Sequence, residues 1–374
     1  MPPRLLTAAL AAAALALAPA ARAQDPAPVA TVAPLPDDPG RTATAGGWEQ
    51  LQWNFLRDSF GVDAPGAWAN LAAVGRPGGA DVTIAVLDTG VAYSDRGRFR
   101  RSPDLAGTRF VRGYDFVDHD PYANDHNGHG THVASTIAER TNNGLALTGI
   151  AYGARIMPVR VLDSAGEGDV RDIAAGVRFA ARRGADVINL SLEFSVEVKA
   201  REIRGLLRAI RFAHRRGVLV VGAAGNEAAD VVAYPARSSR VLSVGATTEN
   251  GCVADYSNQG RGLDLVAPGG GPDADIPDDP NCGGERGRDI FQMSLVGGSV
   301  RRFGLTSEEG TSMAVPHVSA VAALVIASGV LGSDPTPAAI TDHLKATARD
   351  LGPPGYDTRY GAGLVDAAAA TSSG

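Results

Sequence analysis

The sequence predicts an α/β fold with a doubly wound, mostly parallel sheet and helices on both faces. Short β-branched apolar runs alternate with helical segments from Val82 onward. The runs are continuously apolar rather than alternating, as expected of strands buried on both faces. Their spacing leaves room for right-handed βαβ crossovers that cover the sheet. Composition agrees: 374 residues, 44% hydrophobic and 20% charged, describe a globular chain and exclude collagen, coiled coil and wholesale disorder. The net charge of −6, from 41 acids and 35 bases, gives no reason to expect nucleic acid as a partner. Only Lys199 and Lys345 among the bases are Lys, which reads as codon bias.

In chain order, residues 1–23 read as an export signal. Arg4 precedes the apolar run Leu5 to Ala18, and Ala21-Arg22-Ala23 offers a small-residue cleavage site. The run is shorter than the ~20 residues that span a bilayer, so a secreted, extracellular product without stable membrane association is expected. Residues 24–50 are Pro-rich and without apolar period, as in a flexible leader. Residues 51–370 form one expected domain.

Within it, Val82–Leu87 is a strand, His129–Arg140 a helix and Arg155–Leu162 a strand. Asp169 N-caps a helix that runs through Arg183 and is closed by Gly184. Asp186–Leu192 is a strand, Val198–Arg216 a helix and Val218–Ala223 a strand. Residues 269–304, acidic and rich in Gly and Pro, break the pattern and read as a long surface insertion. Cys252 and Cys282 are the only cysteines; in an exported chain such a pair forms a disulfide, which would tie the insertion down.

Functional groups of open parallel sheets gather beyond the carboxyl ends of the strands. Asp88 ends the first strand, Ser191-Leu192-Glu193 ends the strand from Asp186, and Ala224-Gly225-Asn226 follows the strand from Val218. Gly128-His129-Gly130-Thr131-His132 and Gly310-Thr311-Ser312-Met313-Ala314 each put a reactive side chain near a helix start. His129 and His132 could also be read as a metal pair on one helix face, but no third ligand stands at a metalloprotease spacing.

With its chain order of Asp, His, Ser, the sequence resembles the subtilisin-like serine proteases from about Gln52 to Ala370. The resemblance implies a subtilisin-like three-layer fold. It also implies a secreted, monomeric serine endopeptidase that cuts protein or peptide substrates through an acyl-enzyme. Ser312 would be the nucleophile, His129 the general base, Asp88 the group that fixes the imidazole, and Asn226 the side-chain oxyanion donor. Ser191, Leu192 and Glu193 resemble the family's Ser-Leu-Gly strand, which pairs with extended substrate. Ala223, Ala224 and Gly225 resemble the opposite wall of the pocket for the residue before the cut bond, and Tyr234-Pro235-Ala236 a turn with a cis proline. Asp115, Asp118, Asp120 and Asn124 resemble a calcium loop of thermitase-type members; Asp104 and Asn143 match a second calcium site. His132 and His317 are expected as satisfied histidines near the site.

Some positions depart from the family. Residues 24–50 are too few for its pro-domain, and Ser135 and Ala320 stand where Gly is frequent. Glu193 replaces a common Gly; with Glu227 it would favour Arg or Lys before the cut bond. Two rival functions are a non-catalytic secreted binding protein on a protease scaffold and a processing protease with one protein partner. The full set Asp88, His129, Asn226 and Ser312 speaks against the first, since a dead copy need not keep all four.

Overall fold

The computed structural model describes residues 35–373 except positions 43 and 278. The expected export signal and the start of the leader lie outside the described residues.

The strands are β1 (Thr83–Asp88), β2 (Arg109–Phe110), β3 (Tyr114–Asp115), β4 (Arg155–Arg160), β5 (Val187–Leu190), β6 (Leu219–Ala223), β7 (Leu242–Thr247), β8 (Leu265–Pro268), β9 (Ile290–Leu295) and β10 (Phe303–Glu308). The helices are α1 (Ala64–Ala73), α2 (His129–Ala138), α3 (Val170–Arg182), α4 (Arg204–Arg215), α5 (Thr311–Ser328), α6 (Pro337–Ala346) and α7 (Ala367–Thr371). The main sheet runs β2-β4-β1-β5-β6-β7-β8, with β3 also paired to β4. Every pairing in it is parallel. β1 lies between β4 and β5, so the chain leaves it on one side and returns on the other. That is the switch point where a crevice opens beyond the strand ends, and Asp88 is the last residue of β1.

The expected apolar runs work as double-sided strands. Ile84 and Val86 enter a core shared with α1, α2, α5 and α7, whereas Ala85 and Leu87 enter a second core shared with α3 and α4. α5 is apolar on all sides and long enough to cross a membrane, yet 78% of it is buried inside the fold. α3 begins and ends as expected: the Asp169 side chain accepts from Arg171 N at 2.6 Å, and Gly184 adopts a φ of 79°. α4 starts later than expected, at Arg204. The Glu202 side chain accepts from Lys199 N at 2.7 Å, so a side-chain-closed turn outcompetes the helix there.

Two expectations are corrected. Residues 35–50 are not a flexible leader. Trp48 is fully buried, its Nε1 donates to the Pro36 carbonyl at 2.8 Å, and it packs edge-on against Trp68. The segment lacks a helical or strand period because it is a 3-10 turn and loop, so the periodicity missed it. Residues 269–304 are not merely a surface loop either. β9 and β10 pair antiparallel, and Ile290, Gln292 and Ser294 are buried against α2. The Cys252–Cys282 disulfide is present, and the Tyr234–Pro235 peptide is cis.

Candidate active site

His129 is the first residue of α2. A Cβ at Gly130 would lie 2.1 Å from the Gly90 carbonyl oxygen, so only glycine lets this helix start press onto the turn after β1. The contact delivers the imidazole to Asp88: His129 Nδ1 and Asp88 Oδ1 are 2.7 Å apart. Asp88 is fully buried, and the same oxygen accepts from Thr89 N at 2.7 Å. With Nδ1 donating to the carboxylate, Nε2 carries the lone pair. Burial disfavours charge on the ring, but the Asp88 charge and hydrogen bond outweigh it, with Glu308 and Asp125 adding to them. The imidazole pKa rises to about 9.

Asp125, which the sequence reading did not single out, braces this corner. Its Oδ1 accepts from Thr89 Oγ1 (2.9 Å), Asn127 N (2.9 Å) and Gly128 N (3.0 Å). Its Oδ2 accepts from Thr131 N (2.9 Å) and Thr131 Oγ1 (2.6 Å). Thr89 Oγ1 in turn accepts from Gly130 N at 3.0 Å. One buried carboxylate thus fixes the turn after Asp88 and the first turn of α2 together.

Ser312 lies in the first turn of α5, where backbone N–H groups lack helical partners and the helix dipole favours negative charge. Its Oγ donates to the Ser191 carbonyl at 3.2 Å, and Ser191 Oγ donates to the Ser312 carbonyl at 2.7 Å. Asn189 extends the lacing of β5 to α5: its Nδ2 donates to Ser191 Oγ (3.0 Å) and its Oδ1 accepts from Ser319 Oγ (2.9 Å). His129, Ser191, Leu192, Glu193 and Ser312 line one cavity of about 530 Å³.

Asn226 follows β6. Its Oδ1 accepts from Thr311 N at 2.8 Å and Thr311 Oγ1 at 3.0 Å, and its Nδ2 donates to Glu193 Oε1 at 2.8 Å. Buried Asn258 holds the loop beneath, accepting from Glu227 N and Ala229 N and donating to the Ala224 carbonyl. Gly225 has a φ of 114°, and a Cβ there would lie 2.1 Å from Asn258 Nδ2. Ala223, Ala224 and Gly225 are buried. Glu227 turns away, its Oε2 accepting from Val196 N at 3.0 Å. His132 and His317 are fully buried on structural duties. His132 Nε2 meets the Ile290 carbonyl at 3.1 Å. His317 Nδ1 meets the Met313 carbonyl at 2.8 Å, and burial pushes that ring's pKa down to about 3.

A model of the subtilase family matches residues 79–363, a span that contains Asp88, His129, Asn226 and Ser312. The chain belongs to the subtilase family. It is 40% identical over 273 residues to the cell wall-associated protease of Bacillus subtilis (strain 168), covering 72% of this chain but 26% of that protein. It is 38% identical to alkaline elastase YaB of Bacillus sp. (strain YaB), covering 78% of this chain and 65% of the other. With subtilisin Savinase of Lederbergia lenta the identity is 39%, over 78% of this chain and 91% of the relative. A solved structure described as proteases from Pseudoalteromonas arctica PAMC 21717 superposes with a TM-score of 0.72 at 32% identity, covering 90% of this chain and 98% of that one.

The two calcium sites implied for this subtilase fare differently. At the first, a guanidinium stands in the cation's place. Arg160 Nη1 donates to Asp115 Oδ2 at 2.8 Å and to Asp118 Oδ2 at 2.7 Å. Asp120 Oδ1 accepts from Tyr122 N and Asn124 Oδ1 from Ser94 Oγ, so the four residues do not form an oxygen cage for a metal. Asp115, Asp118 and His126 are the one cluster of three carboxylate or imidazole ligands among the described residues, and Arg160 already neutralises it. Beside Asp115 and Asp118 the opposite charge comes from Arg160, a β4 residue far along the chain.

At the second, Asp104 and Asn143 come together as expected. Asp104 is buried and accepts from Asn143 Nδ2 at 2.7 Å and Leu147 N at 3.1 Å. Burial pushes its pKa up to about 6, with the Asp38 charge adding to the rise. Asp38, in the segment expected to be flexible, accepts from Thr141 Oγ1, Asn142 N and Asn143 N. Neighbouring Glu139 is fully buried, and burial raises its pKa well above the ordinary value. Its Oε2 accepts from no donor. Asp104 and Glu139 also share a side-chain hydrogen bond, so a proton held by Glu139 offsets part of the cost of burying the two groups together.

Proposed function

We propose that this subtilase is a secreted serine endopeptidase of protein and peptide substrates. The observation that carries the reading is the buried Asp88–His129 hydrogen bond of 2.7 Å, with the imidazole and Ser312 facing one cavity. Turning from the Ser191 carbonyl toward His129, the Ser312 hydroxyl gives its proton to Nε2 as Oγ attacks the scissile carbonyl carbon. Asp88 keeps the imidazole in the required tautomer and stabilises the imidazolium. The Ser312 N–H and Asn226 Nδ2 are the donors for the tetrahedral oxyanion. His129 then protonates the departing amine, and a water activated by the same nitrogen hydrolyses the acyl-enzyme. Residues 191–193 follow β5 and lie beside Ser312, where substrate backbone can add as a further strand.

Export is supported by the charged, apolar and small-residue pattern of residues 1–23. Asp104 and Asn143, joined by Asp38, would hold calcium. When bound it would neutralise their charge and tie residues 35–50 to the loop after α2. Ser312→Ala tests the central reading: turnover and covalent labelling by a fluorophosphonate should both vanish while the fold persists. Retention of more than a trace of wild-type turnover in the purified variant would overturn it.

A further inference from the structure

Glu193 reaches out of its own loop to the next one. Its Oε1 accepts from Asn226 Nδ2 at 2.8 Å, and Asn226 cannot swing away because Thr311 N and Oγ1 hold its Oδ1. A side-chain donor suited to an oxyanion is therefore engaged by a carboxylate. Nδ2 has a second proton, but an oxyanion that accepted it would sit beside a like charge. The same bond bridges the gap between residues 191–193 and 223–225. Glu193 lines the cavity of His129 and Ser312.

Asn226 is the side-chain partner of Glu193 among the described residues. Among the described residues no Arg or Lys lies within ion-pair distance of it. Burial raises its pKa, with the Glu227 charge adding to the rise, against the Asn226 hydrogen bond and the His129 charge. Glu227 accepts from Val196 N and does not bond Asn226, although its charge reaches Glu193.

The geometry points to Glu193 as a clasp on the oxyanion site, released by an Arg or Lys side chain at the residue before the cut bond. This rests on the serine endopeptidase reading. A guanidinium or ammonium entering between the two loops gives the carboxylate a charged partner in place of a neutral amide. Glu193 then leaves Nδ2, and the oxyanion gains its second donor. A neutral side chain offers no such exchange, so Asn226 stays engaged and the bond-making step is slow. Selectivity of this kind appears in kcat, because the affected hydrogen bond matters in the transition state.

Matched peptide substrates with Arg or Phe before the cut bond test this. They are compared on the full chain, on E193Q, E193G and N226A, and on the double variant E193G/N226A, with active sites counted by fluorophosphonate titration. Losing a side-chain oxyanion donor lowers kcat by ~10²–10³ in this family, so partial release in E193G should raise kcat for the Phe substrate about tenfold. E193G should also lower kcat/KM for the Arg substrate. E193Q keeps a hydrogen-bond acceptor without charge and should lose the Arg preference. In the N226A background the E193G gain should vanish, since there is no amide to release. A fixed charge in the pocket would change KM alone, and a purely structural Glu193 would lower kcat for both substrates alike; either result overturns the clasp. Normal labelling with an unmoved Arg-to-Phe ratio sinks the clasp only. Absence of labelling and turnover in every protein, wild type included, sinks the peptidase reading and the clasp with it.

Discussion

Asp125→Asn should loosen the corner that holds His129, and the size of the effect follows from the five donors that Asp125 accepts. The variant keeps one oxygen, and with it the bonds from Thr89, Asn127 and Gly128. The other oxygen becomes an NH2 group facing Thr131. The Thr131 hydroxyl can turn round and accept, but the Thr131 N–H then meets a donor and is buried without a partner. Losing hydrogen bonds to a charged acceptor costs ~1.5–3 kcal/mol each, and a buried unpaired N–H adds ~1–3 kcal/mol. A net loss of about 3 kcal/mol is expected. At ~2.1 cal/mol/K per residue, the roughly 340 described residues give an unfolding entropy near 0.7 kcal/mol/K, so Tm should fall by about 4 °C. Unfolding is best followed by tryptophan fluorescence, since Trp48, Trp53 and Trp68 are all buried. A Ser312→Ala background prevents self-digestion from feeding the melt. In the active background kcat/KM should fall at least ~10-fold, because small displacements of a catalytic base are costly. A Tm within 1 °C of the parent, together with unchanged kcat/KM, would refute the bracing role.

The pH profile follows from the raised imidazole pKa. His129 must be neutral to act as base, so kcat/KM should climb as pH rises through about 9; a midpoint near 6.5 would contradict the Asp88 coupling. The same shift stabilises the fold fully below the unfolded value of about 6.5, and that contribution fades as pH passes about 9. Reducing the Cys252–Cys282 bond opens a loop of sequence separation 30, which should lower stability by ~3–4 kcal/mol; identical unfolding curves with and without reductant would exclude this. A calcium chelator should lower Tm by removing a ligand that binds only the folded state. Asp104→Asn should abolish that response while Asp118→Asn leaves it intact, and the reverse pattern would restore the first site over the second.

The groups proposed to carry chemistry were legible because each sits in a short motif at the end of a strand or the start of a helix. Asp88, His129 and Ser312 each have glycine within two residues, and Gly130 shows why: another side chain would hold the helix off the turn. The supporting residues were not legible in the same way. Asn189, Asn258 and Asp125 are ordinary polar residues in sequence, and their roles arise from partners brought close by the sheet order. Asp38 was hidden in a Pro-rich stretch whose fold follows no period. Arg160 reads as one more strand residue until Asp115 and Asp118 are seen around it. The acidic loop therefore carries a counter-charge that its own stretch of sequence does not display. Glu193 was legible as a departure, but its bond to Asn226 joins two loops that only tertiary structure brings together.

The β9–β10 hairpin has a consequence for exchange of parts between relatives. It is stitched to the His129 helix by Ser294 Oγ donating to the Gly128 carbonyl at 2.6 Å and by Ser135 Oγ donating to the Met293 carbonyl at 3.1 Å. Glu139 Oε1 accepts from Met293 N at 3.3 Å. The hairpin and Ser135 are therefore coupled through the Ser135–Met293 hydrogen bond. A graft of residues 290–308 onto a scaffold with glycine at that place would arrive with one stitch missing. Deletion of the hairpin here would strand the hydroxyl of Ser135 and the carboxylate of Glu139 on a helix that no longer has a cover. Recombination that respects this coupling should keep the helix seated, whereas recombination that cuts between Ser135 and β9 should not.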